Sequence, residues 1–170
     1  KNAMMNETLA RFLDESIRLE LNMSDFYRLL SVLYPQDAPF WSTLSSEEVH
    51  HAALIKSVND VFLSEKIVPS ESVGQYAELL SQSNRFIEQK IQEVRAKPPL
   101  REDIFRLMVE LEISAGEIHY QRMMSGKVVT VIEELFQKLN GEDKFHARRI
   151  MAYARENYLV DWDSDINIEE

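Results

Sequence analysis

Cysteine is absent from this chain. Disulfides, thiolate metal sites and iron–sulfur clusters are therefore excluded together. Glycine and proline are scarce, at four and five residues, so regular structure is interrupted at few places. No apolar run approaches the roughly 20 residues of a membrane span. Strand-type alternation of apolar and polar residues is missing too. Positive charge is in deficit, with 19 Lys and Arg against 29 Asp and Glu and a net charge of −10. Such a surface repels phosphate backbones and anionic lipid, so neither a nucleic-acid nor a membrane partner is expected. No secretory signal is visible, and a cysteine-free chain suits a reducing compartment, so a cytoplasmic location is the expectation.

What is present is a 170-residue chain, 45% hydrophobic and 28% charged, enough for one domain with a full core. Residues 1–3 read as an expression remnant, 4–160 as a single domain, and 161–170 as an acidic tail expected to fray or pack loosely. Breaks fall at "YPQDAPF" (34–40), "KIVPSES" (66–72), "KPPL" (97–100) and, more weakly, "SGK" (125–127). The intervening segments repeat their apolar residues with period 3.6, which predicts five helices over 6–33, 38–65, 71–96, 100–124 and 128–158. Gly141 falls inside the last, and the helix is expected to continue through it at some cost in propensity.

Four of these helices place polar groups in the apolar stripe. The first runs Leu13, Ile17, Glu20, Ser24, Tyr27, Tyr34. The second runs Trp41, Leu44, Glu48, His51, Ile55, Val58, Phe62. The fourth runs Phe105, Met108, Glu112, Ala115, His119. The fifth runs Ile132, Phe136, Leu139, Asp143, His146, Ile150, Tyr153. The third, by contrast, has a plain stripe of Val73, Tyr76, Leu80, Ile87, Ile91 and Val94, and reads as a covering or crossover helix. The pattern also repeats. Glu20 precedes Glu48-x-x-His51 as Glu112 precedes Asp143-x-x-His146, so a hairpin with one acid and then an acid–x–x–His pair occurs twice.

Residues three apart share a helix face, so an acid and a His at that spacing can point at one ion. Two such pairs plus one acid from each of two further helices make a six-donor set, the arrangement of di-iron and di-manganese carboxylate bundles. Oxygen and imidazole donors suit iron or manganese. The three Glu and one Asp carry four negative charges, which two divalent cations balance; without metal, buried carboxylates would have to take up protons. Each piece also has an ordinary reading. Glu20 could pair with Arg18 or Arg28, Tyr27 could be plain core or a hydrogen-bond donor to the site, and His119 reads as a hydrogen-bonded core or supporting group. His50, Glu47 and Glu142 read as solvated neighbours. The conjunction of two striped pairs, each preceded by a striped acid, points to a dinuclear metal centre.

At these residues the chain resembles the ferritin-like superfamily, and within it the rubrerythrin and bacterioferritin type. "ELNMSDFY" (20–27) is similar to the family's Glu followed seven residues later by Tyr, and "EEVHHA" (47–52) to its EE-x-x-H-A. The resemblance spans residues 9–153. It implies an all-α, ferritin-like four-helix bundle with a long helical crossover between the second and third core helices, here 66–99. It implies two iron ions, with Mn or Zn as substitutes, held by Glu20, Glu48, His51, Glu112, Asp143 and His146. Glu48 or Glu112 would bridge, and Tyr27 and His119 would support the ligands, with no catalytic residue apart from the ligands. The function implied is a non-haem di-iron protein that binds Fe(II) and reacts with O2 or peroxide, as an oxidoreductase or ferroxidase. The alternatives are an iron-binding or storage protein, a di-iron hydroxylase of a small organic substrate, and a metal-free bundle acting by association. A homodimer or larger homo-oligomer is expected. Three departures stand out: Asp143 replaces the family's Glu, Ala115 stands where rubrerythrins carry an extra Glu, and the four-cysteine rubredoxin module is missing, so an external electron donor is implied.

Overall fold

The computed structural model describes residues 2–62, 73–120, 131–160 and 162, with the side chains of 2–6, 58–62, 73, 116–120, 131–133, 136, 137 and 140 outside that description. The described chain is all-helical: α1 (Asn2–Leu33), a 3-10 turn (Pro35–Asp37), α2 (Ala38–Phe62), α3 (Val73–Ala96), α4 (Arg101–Tyr120) and α5 (Val131–Glu156). Among the described residues no helix is long and apolar enough to cross a membrane.

The helix ends follow local chemistry. Residues 2–33 contain neither Gly nor Pro, and α1 runs unbroken until Pro35 pushes Tyr34 out of the helical region, to φ −124° and ψ 76°. Pro39 then sits in the first turn of α2, where its missing N–H costs nothing. α3 stops before Pro98 and Pro99. α4 carries Glu102 and Asp103 in its first turn, where acids suit the positive end of the helix dipole. α5 passes through Gly141 without interruption, and a Cβ added there would meet nothing within 4 Å. It ends in a left-handed residue that is not glycine. Tyr158 has φ 57°, its N–H reaches Arg155 O at 3.1 Å, and the Leu159 N–H reaches Ala154 O at 2.9 Å. These two bonds make a Schellman motif.

The helices gather into two compact units, Lys1–Lys97 and Pro98–Glu170, divided at the "KPPL" break. In the first, α1 packs against both α2 and α3. Meeting two neighbours requires a broad buried face, and α1 supplies it with Phe12, Leu13, Leu19, Met23, Phe26, Tyr27 and Leu30. α3 buries Tyr76, Leu80, Ile87, Ile91 and Val94, as its stripe predicts, and Ala77 besides; the side chain of Val73 lies outside the described residues. Asn84 lies in the same stripe, fully buried, donating to Glu15 O at 2.9 Å and Glu15 Oε2 at 2.8 Å and accepting from Asn22 Nδ2 at 3.0 Å. A polar group satisfied across a helix–helix seam favours one register over its neighbours.

In the second unit α4 packs against α5. Phe105 stacks on Tyr153 with ring centroids 5.7 Å apart. The start of the acidic tail is tied down rather than loose. Trp162 is buried, its indole N–H donates to Met151 O at 3.0 Å, and the Arg106 guanidinium lies 5.8 Å from its ring centroid. An indole has enough apolar area to hold a segment that its acidic neighbours would leave in water. Residues 163–170, and the expected helix extensions into 63–65, 71–72, 121–124 and 128–130, lie outside the described residues.

Candidate metal centre

All six sequence-predicted donors are buried: Glu20 3%, Glu48 1%, His51 3%, Glu112 1%, Asp143 2% and His146 2% exposed. Carboxylates are rarely buried unless something compensates them.

In the first unit, α1 supplies Glu20 while α2 supplies Glu48 and His51 from successive turns of one face. His51 Nδ1 lies 2.9 Å from Glu48 Oε2 and 3.5 Å from Glu20 Oε2. Each of the three residues offers a ligand atom within 4.8 Å of the others. The arginines that could have neutralised Glu20 are engaged elsewhere. Arg18 pairs with Glu88 at 2.6 Å, and Arg28 with Asp25 at 2.7 Å. Burial raises the Glu20 carboxyl from 4.5 to about 8, and the Glu48 charge adds to the rise, against a partial offset from His51. Burial alone would lower His51, but hydrogen bonds and charge from Glu20 and Glu48 outweigh it and push the imidazole up to about 11. The metal-free cluster therefore keeps protons where a cation would otherwise supply the compensating charge.

The second unit repeats the arrangement. α4 supplies Glu112, and α5 supplies Asp143 and His146 three residues apart. His146 Nδ1 lies 3.7 Å from Glu112 Oε1. The flanking residues sort as the stripes predict: His50 is exposed, Glu47 half-buried, and Glu142 half-buried with an ion pair to Lys138 at 3.8 Å.

Two further layers of the α1–α2 pair lie beyond the donors. One turn along, Ser24 Oγ reaches Ser45 O at 2.9 Å, Ser45 Oγ reaches Ser24 O at 3.0 Å, and the two hydroxyl oxygens are 2.9 Å apart. The next turn holds Tyr27, fully buried and stacked on the equally buried Trp41, with centroids 5.6 Å apart and planes at 16°. Ser24 stood on the predicted stripe, but Ser45 did not. The signal for it was spacing, since each serine is one turn from a donor. The backbone of His119 belongs to α4, and its side chain lies outside the described residues.

Each unit thus contributes two carboxylates and one imidazole, hard and borderline donors that fit a divalent first-row cation. The class defined by fold and site is an all-helical chain with buried carboxylate–histidine clusters that could hold metal. No family model matches the chain, and no curated protein or solved structure matches it.

Proposed function

We propose that this chain is a non-haem di-iron protein that binds Fe(II) and reacts with O2 or peroxide. The observation that carries the reading is the paired set of buried donors: Glu20, Glu48 and His51 in one unit, Glu112, Asp143 and His146 in the other. On this reading α1, α2, α4 and α5 are the core helices of a ferritin-like bundle, and α3 is the crossover. Its 24 residues span about 36 Å, the length of such a bundle.

Bound iron would supply the electrons for reducing O2 or peroxide. The chain's own residues do the rest. Their four carboxylates balance two divalent charges, the two histidines complete the donor set, and burial keeps bulk water from the ligands. Glu20 and His51 must give up their protons to become ligands, so loading is coupled to proton release. None of these 170 residues is a cysteine that could relay electrons, so on this reading re-reduction falls to an external donor.

The test is metal analysis after anaerobic loading with Fe(II), followed by turnover with peroxide and a reductant. Close to two irons per chain are expected, with fewer in Glu48→Ala and in His146→Ala. Full iron retention by both variants would overturn the site assignment. Two irons per chain without turnover would move the reading to iron binding or storage.

A further inference from the structure

α5 has two faces of opposite kind. One carries Leu139, Asp143, His146, Ile150 and Ala154, all buried. The other carries Gly141, Phe145, Arg148, Ala152 and Arg155, all exposed and spaced 4, 3, 4 and 3 apart. The chain has a net charge of −10, yet residues 144–155 hold Lys144, Arg148, Arg149 and Arg155 and no acid. Arginines on α1 are tied to acids, Arg11 to Glu78, Arg18 to Glu88 and Arg28 to Asp25. On α5 the positions three and four away from Arg148 and Arg155 hold Lys144, Phe145, Met151, Ala152, Tyr158 and Leu159, so neither arginine has an acid within reach along its own helix. Glu142 and Glu156 bracket the run, and Glu142 pairs with Lys138 at 3.8 Å. A cation in the last turn answers the helix dipole, which accounts for Arg155; Arg148 stands two turns earlier. Phe145 is 56% exposed, and the Arg149 guanidinium lies 5.5 Å from its ring centroid. Arginines and aromatic rings are the side chains that anchor protein interfaces.

We infer that this stripe is the docking surface for a small acidic electron-carrier protein, with Phe145 as the apolar anchor and Arg148 and Arg155 meeting carboxylates of the partner. The inference rests on the proposed function for the partner's role, that of the external donor. From Gly141 to Arg155 the stripe is about 21 Å long and one helix wide, a footprint of a few hundred Å². A stable interface takes roughly 800 Å² from each partner, so the stripe suits a transient redox encounter better than a second copy of the chain. A nucleic acid would run past the stripe onto the acidic remainder of the chain. A compact acidic protein keeps its charges within about one Debye length, roughly 10 Å, of the cations. The placement also serves the proposed function. A partner seated there is separated from the face that carries Asp143 and His146 by the thickness of one helix, about 10–12 Å.

The experiment is calorimetric titration of oxidised plant-type ferredoxin, an acidic one-electron carrier, into the full chain, both metal-free and loaded with Mn(II). A micromolar complex is expected at low salt, weakened by about tenfold when salt is raised to roughly 0.2 M. Arg148→Gln/Arg155→Gln, with helicity unchanged, weakens the low-salt complex by about tenfold and flattens its salt dependence. Phe145→Ala weakens binding equally at both salt concentrations, and Arg28→Gln on α1 leaves it as in the native chain. Reduction of the iron-loaded chain by ferredoxin slows in the α5 variants, whereas reduction by dithionite, which needs no docking, does not. No ferredoxin binding by the native chain, or equal binding by the α5 variants, would overturn the docking surface and leave the proposed function standing. Tighter binding to a short DNA duplex than to ferredoxin, or a native dimer that Arg148→Gln/Arg155→Gln dissolves, would hand the stripe to nucleic acid or to a second copy and sink the inference. Stripe-dependent ferredoxin binding by a chain that takes up no iron would sink the proposed function and keep the docking surface.

Discussion

His51 Nδ1 sits 2.9 Å from Glu48 Oε2, one turn along the same helix, and both groups are buried. That contact, with Glu20 completing it from α1, makes the cluster a store of protons in the absence of metal. Glu20 and His51 both hold their protons more tightly folded than unfolded. The stability each adds to the metal-free chain is full below its unfolded value and is lost as pH rises through its folded one. For Glu20 the window runs from 4.5 to about 8, and for His51 from 6.5 to about 11.

Metal uptake should therefore tighten as pH rises from 6 to 8. At pH 7 a cation held by Glu20, Glu48 and His51 should release about two protons, one from Glu20 and one from His51. Calorimetry in buffers of different ionisation enthalpy counts them. A Mn(II) affinity that does not change over this range would contradict the linkage.

Glu20→Gln separates the proton from the metal. The amide resembles the protonated carboxyl that burial favours near neutrality, so metal-free stability should change by less than about 1 kcal/mol. Affinity for Mn(II) at this cluster should nevertheless fall by about two orders of magnitude, since a ligand is lost. Urea melts with and without Mn(II) check both halves. A large metal-free loss with intact Mn(II) binding would mark Glu20 as a structural group instead.

Metal should also stabilise the native chain. At a free concentration of one hundred times Kd the gain is about 2.7 kcal/mol, so Fe(II) or Mn(II) should raise the melting temperature of the native chain and not that of Glu48→Ala. Thermal melts followed by helicity read this directly, and equal shifts in both proteins would count against Glu48 as a ligand.

Two substitutions, one within α5 and one just past its end, should stabilise the fold without touching the donors. Tyr158 is 97% exposed and left-handed, so Tyr158→Gly relieves backbone strain of about 1–2 kcal/mol with little packing to lose. Gly141→Ala fills open space on a helix and should add about 1 kcal/mol. Denaturant midpoints measure both, and a destabilised Gly141→Ala would show that position 141 needs more than helical backbone.

Asn84→Leu should destabilise the α1–α3 seam by about 1–3 kcal/mol, because Asn22 and Glu15 lose their shared buried partner. The sequence hid this residue in plain view. The α3 stripe steps from Leu80 to Ile87, and a regular seam puts a residue at 84. Asn there reads as a gap until the partner helix shows what satisfies it. Much else was legible. Pro35, Pro98 and Pro99 mark helix ends because proline acts through its own geometry, and the acid–x–x–His pairs declare themselves by standing where a core expects apolar groups. Ser45, Tyr158 and Trp162 were not legible for one shared reason. A serine that meets a serine 21 residues away, a tyrosine that closes a helix in a glycine conformation, and an indole that reaches back 11 residues to Met151 O each depend on partners that periodicity does not reveal.

The chain's two tryptophans fall one to each unit. Trp41 is sealed against Tyr27, two turns from Glu48, and Trp162 is pinned to α5 by its indole N–H. The protein is thus born with two optical reporters on separate circuits. In Trp162→Phe the remaining emission follows the first unit alone, where a paramagnetic ion at Glu48 would quench it. In Trp41→Phe it follows the second. Simple fluorometry can then establish whether the two units melt as one body or in succession.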